Sequence, residues 1–185
     1  MKILSIIIIF FVTFFWGNKD DKEMNYNPRS LNIEILKLSK TPDFLREEIT
    51  IEKSLTDKFL INGKFYKILT ENNINGYIYI GRVNSCRANG CSVNRQESKS
   101  DSYEFFDYFI LFNNQRKVFV VKVFNYEATH GQEISVKGWL KQFIDYDGND
   151  ELIVGKNIDA ISGATISVHG IVNDIQEKTS ILKCI

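Results

Sequence analysis

Hydrophobic positions follow three different rhythms along this chain. Ile3 to Trp16 is a nearly unbroken apolar run bounded by Lys2 and by the charged stretch Lys19-Asp20-Asp21. The middle is short-period. "GKFYKILT" (63–70) and "GYIYIGRV" (76–83) are rich in β-branched and aromatic residues, and the turn-forming "ENNIN" lies between them, so they read as two strands. "DYFILFNNQRKVFVVKVFNY" (107–126) reads as a long hairpin turning at Asn113-Asn114-Gln115, where Asn tolerates positive φ. Its second strand is apolar on most of both faces, which predicts a central position. The last rhythm is helical: Val168, Ile171, Val172 and Ile175 recur on one face of a C-terminal helix.

Other elements follow from local signals. Thr41 as cap, Pro42 in the first turn and Asp43 behind it predict a helix over 41–60. "GQEISVKGWLKQF" (131–143) predicts a short helix, and "DYDGND" (145–150) a turn. That turn lacks the sixth-position Gly and twelfth-position Glu of a calcium loop. The fold class expected is α+β: an antiparallel sheet with flanking helices and a C-terminal helix after the "SGAT" stretch.

Length and charge narrow the field. A chain of 185 residues, 44% hydrophobic and 13% aromatic, holds one packed domain with appendages. Lys plus Arg balance Asp plus Glu at 23 each, so no basic face for nucleic acid is implied. The 14 residues from Ile3 to Trp16 fall short of the ~17–25 of a spanning helix. They read as a secretory signal, although no Ala precedes Ala88 to mark cleavage, or as a short retained membrane anchor. Both readings place the body outside the cytoplasm, at the outer face of the cytoplasmic membrane or in the periplasm. The expected organisation is a signal or anchor at 1–16, a polar linker at 17–33 and a domain at 34–185.

The candidate chemistry lies in "DAISGATIS", Asp159 to Ser167. Gly163 permits a turn that a Cβ forbids. Ser162 and Ala164 are small enough for a bulky group to approach the backbone. Thr165 opens the last helix, where free N–H groups and the helix dipole favour an anion. Local physics leaves two readings: a phosphate site at a helix N-terminus, or an ordinary cap supplied by Ser162 or Thr165.

Asp159-x-x-Ser162-Gly163-Ala164-Thr165 resembles the D-x-x-[S/T]-G-A-T motif of the FMN-binding domain family at all seven positions. That family includes flavin-carrying components of the sodium-pumping NADH:quinone reductase and of the Rnf electron-transport complex. The resemblance implies FMN esterified through its phosphate to Thr165, donated from FAD by a flavin transferase. Residues 127–131 extend it. Glu127, Thr129 and Gly131 follow a strand, as in the family's E-T-x-G, with one residue inserted. The resemblance spans roughly residues 63–182 and makes Asp159, Ser162, Gly163, Ala164, Thr165, Glu127 and Thr129 the cofactor-binding candidates.

Cys86 and Cys91 flank Gly90 just after a predicted strand. Outside the cytoplasm they read as a structural disulfide, or as a redox-active pair with Arg87 able to lower the Cys86 thiol pKa. Two Cys and the distant His130 and His169 make no metal spacing. Cys184 reads as a free thiol. Three functions stand open. The first is an extracytoplasmic covalent flavoprotein passing electrons between membrane or exported redox partners, rather than a stand-alone enzyme. The second is a flavin-linked thiol–disulfide or small-molecule reductase using Cys86 and Cys91. The third is a flavin-free exported binding module.

Overall fold

The computed structural model describes residues 22–71, 73–87 and 103–185, with backbone alone at Cys86, Arg87 and Tyr103. Among the described residues, five antiparallel strands form one sheet whose spatial order is the chain order: β1 (Leu45–Ile49), β2 (Gly63–Thr70), β3 (Asn73–Arg87), β4 (Tyr103–Asn113) and β5 (Val118–Tyr126). Helix α1 (Arg29–Ser39) covers one face. The short α3 (Lys137–Leu140) and the C-terminal α4 (Thr165–Cys184) cover the other. The fold is α+β, as the patterning predicts.

Strand alternation sorts side chains into two cores. On β3, Tyr77, Tyr79 and Val83 face α4, while Ile78 and Ile80 face α1. On β4, Phe106, Tyr108, Ile110 and Phe112 face α4, while Phe109 and Leu111 face α1. Both faces are dry, so these strands read as apolar runs rather than clean alternations.

Five expectations are corrected. The helix expected over 41–60 is instead strand β1 followed by a single turn, α2 (Lys53–Thr56). Thr41 Oγ1 accepts from Asp43 N at 3.2 Å in a local turn and caps no helix. β1 lies at the sheet edge, where its polar residues belong: Glu48 pairs with Lys64 at 2.9 Å and the Arg46 guanidinium lies over Tyr66. Second, α1 begins inside the segment expected to be linker. Leu31 and Ile35 are buried one turn apart, and Leu38 packs beside them. Third, among the described residues β5 is an edge strand, not a central one. It is apolar on both faces because α1 and the α4 layer cover both, and Asp145 and Tyr146 run along its start. Fourth, the positive φ of the β4–β5 turn falls on Arg116 (62°), while the Asn113 carboxamide accepts from Gln115 N and Lys117 N. The short helix expected over 131–143 is broken into α3 with a 3-10 turn on either side.

Candidate functional site

The "SGAT" stretch is the turn into α4. Gly163 holds φ +81°, and no atom lies within 4 Å of where its Cβ would be. Ala164 is the N-cap, 2% exposed, and tucks its methyl into the core. Its carbonyl accepts from Val168 N at 2.9 Å, starting the helix. Thr165 is the first helical residue and is exposed, as are Ser162 and Gly163. Among the described residues, no side chain hydrogen-bonds the cap of α4. The ordinary-cap reading is therefore corrected: neither Ser162 nor Thr165 satisfies the first N–H groups of the helix, and these remain available to an anion beside the Thr165 hydroxyl.

Asp159 is held by its backbone. Its N–H donates to Gln142 Oε1 at 2.7 Å and its carbonyl accepts from Trp139 Nε1 at 2.9 Å. Trp139 in turn packs edge-on against buried Phe143. The α3 segment thus fixes where the motif starts and leaves the Asp159 residue exposed.

The second candidate segment meets α4 at Ser167, a residue that the sequence pattern did not single out. Gly131, at φ +88°, lies against the first turn of α4: a Cβ there would sit 2.8 Å from Ser167 Oγ and 2.9 Å from Tyr126 Oη. Ser167, 3% exposed, bonds Ser85 Oγ at 2.8 Å and Tyr126 Oη at 3.1 Å. Tyr126 Oη donates to the His130 carbonyl at 2.5 Å. Burial pushes the Tyr126 phenol up from its ordinary range. The loop after β5, the end of β3 and the Thr165 turn are therefore one packed unit.

Within that loop, Thr129 is engaged by β4, its N–H donating to Glu104 Oε2 at 3.0 Å and its hydroxyl to Glu104 Oε1. Glu127 is exposed and paired with Lys22. Each is close in sequence to the Gly131–Ser167 contact, but both side chains already have partners. His130 and His169 are exposed, as is the free Cys184. The Cys86–Cys91 pairing lies outside the described residues. The backbone of β3 nonetheless carries Cys86 next to Ser85, which touches Ser167. No group of three potential metal ligands occurs among the described residues. A groove between β3 and α4, lined by Asn62, Arg82, Asn84, Asn173, Asp174 and Glu177, contains none of the motif residues.

Ser85, Glu104, Tyr126, Trp139, Gln142 and Ser167 escaped the sequence reading. Only Ser167 left a legible trace, as a hydroxyl in the otherwise apolar stripe of the last helix.

A sequence model of the FMN-binding domain matches residues 29–179, most of the chain, and the chain belongs to that family. It is an FMN-binding flavoprotein, and the flavin-free reading is set aside on that match. The lower bound of the match coincides with the first residue of α1. A search of curated proteins finds no match. The residues present fit the cofactor: the open α4 N-terminus, the uncrowded Gly163 and the exposed Thr165 suit a phosphate and leave room for what it carries.

Proposed function

We propose that this protein carries FMN as a phosphodiester on Thr165 and passes electrons between redox partners outside the cytoplasm. One observation carries the reading: an exposed Thr hydroxyl at the first position of a long helix whose N-terminus has no side-chain cap among the described residues, within a complete D-x-x-S-G-A-T.

In the attachment step, Thr165 Oγ attacks the flavin-side phosphorus of FAD. The Thr–O–P bond forms, the pyrophosphate P–O bond breaks, AMP leaves, and the hydroxyl proton passes to the flavin transferase that catalyses the transfer. The diester keeps one negative charge, which the α4 N-terminus stabilises by about 0.3–1 kcal/mol. Gly163 and Ser162 keep the approach open. Asp159 stands exposed at the start of the motif, where the transferase reads it. Bound FMN supplies the redox chemistry, and the chain supplies attachment and orientation. A covalent link suits a protein outside the cytoplasm, where a dissociated cofactor would diffuse away. The apolar Ile3–Trp16 run supports that location.

The test is intact mass after co-expression with a flavin transferase and supply of FAD. Wild type gains an FMN-sized mass and Thr165→Ala does not. A wild type without that mass, or a Thr165→Ala variant with it, overturns the attachment.

A further inference from the structure

The hydroxyls beneath Thr165 form a chain with a direction. A hydroxyl donates one hydrogen. Tyr126 spends its hydrogen on the His130 carbonyl, at 2.5 Å. Toward Ser167, 3.1 Å away, it therefore accepts, and Ser167 is the donor. Ser167 then accepts from Ser85, at 2.8 Å. The order is Ser85 to Ser167 to Tyr126 to the His130 carbonyl. It runs from β3 through the first turn of α4 and β5 into the 127–131 loop.

The surroundings fit this purpose. Ser85 and Ser167 are buried. Gly131 comes so close to both Ser167 and Tyr126 that a Cβ there would displace their oxygens, so the loop closes directly over the chain. Ser167 sits at the third helical position, in the first turn of α4 that Thr165 opens. Its hydroxyl ties that turn to β3 and β5.

We infer that Ser167, acting with Tyr126 and Ser85, is a positioning residue for Thr165. It fixes the first turn of α4, and with it the Thr165 hydroxyl, against β3 and β5. The inference rests on Thr165 being the attachment point. The three hydroxyls act through the backbone of the turn, on how often it is presented in the form the transferase binds.

The experiment is steady-state flavinylation of the full chain by a purified flavin transferase with FAD, using wild type, Ser167→Ala, Tyr126→Phe and the double variant, with melting curves on each. Tyr126→Phe keeps the ring stacked on Phe106, so it folds even if Ser167→Ala does not. Loss of an ordering interaction lowers the competent fraction, so KM for the acceptor rises roughly three- to tenfold while kcat holds. The double variant matches the worse single, because both substitutions cut the same chain. A KM equal to wild type in Tyr126→Phe overturns the inference, as does a double variant whose effect is the product of the singles. A fall in kcat with KM unchanged also overturns it. Wild type that gains no mass overturns the attachment itself, which separates the two failures.

Discussion

Two glycines of the site hold nearly the same backbone conformation for different reasons. Gly163 has φ +81° with open space where a Cβ would project, and Gly131 has φ +88° with Ser167 and Tyr126 oxygens inside 3.0 Å. Alanine at either position meets the left-handed penalty, about 1–2 kcal/mol. Only at position 131 does it also push apart a buried hydroxyl chain. Gly163→Ala is therefore expected to cost about 1–2 kcal/mol in urea denaturation, and Gly131→Ala at least about 1 kcal/mol more. Equal costs would mean that the Gly131 contact relaxes freely. Sequence alone foresaw the turn at Gly163, because "SGAT" sits directly before a helical stripe. It could not foresee the role of Ser167: one serine in an apolar stripe does not reveal that its partners are 41 and 82 residues away.

At the scale of elements, α4 is pinned by charge as well as by its apolar stripe. Lys178 is 0% exposed, and its ammonium meets the Leu60 carbonyl at 2.7 Å, Asp174 at 2.9 Å and the Glu177 carboxylate. Asp174 also accepts from the Tyr108 hydroxyl on β4 at 2.5 Å. Burial, outweighing Lys178, holds the Asp174 carboxyl above its ordinary range, and burial pushes Tyr108 up as well. A raised carboxyl pKa means that the native state binds the proton more tightly than the unfolded chain. Its contribution to stability is then complete below the unfolded pKa and is lost as pH rises through the folded one. The stability of wild type minus that of Asp174→Asn is expected to fall as pH rises above the ordinary carboxylate range in chemical denaturation. A difference that is flat or rising with pH would show that the ion pair, not burial, governs this carboxyl.

The same scale shows where sequence reading works. α4, β2, β3 and the β4–β5 hairpin carry long, consistent patterns and were legible. α1 was hidden by Asn, Ser and Pro residues around its start, although Leu31, Ile35 and Leu38 have helical spacing. β1 was mistaken for helix because Thr41-Pro42-Asp43 imitates a helix start and five edge residues are too few to display a period. Which side of the sheet each element covers is a tertiary fact, and it made β5 look central when two layers bury it.

Across the whole molecule, the sheet is a meander of neighbours, each strand pairing with the one before it. Such pairings are local and form without waiting for the rest of the chain. The acceptor turn is the opposite. It opens the last element, and the first turn of α4 is seated by Ser85 on β3 and Tyr126 on β5. A chain still emerging, or one with α4 undocked, has the letters of the motif but not its shape. On the proposed chemistry, attachment is therefore late in the life of the chain, and flavin on Thr165 certifies that the domain has been completed. In urea, the initial rate of flavinylation by a transferase that is itself stable there should fall along the unfolding curve of the acceptor. A rate that persists past the midpoint would mean that the transferase reads the motif as a linear tag. Otherwise the cofactor is a receipt for folding, issued once and carried on the molecule.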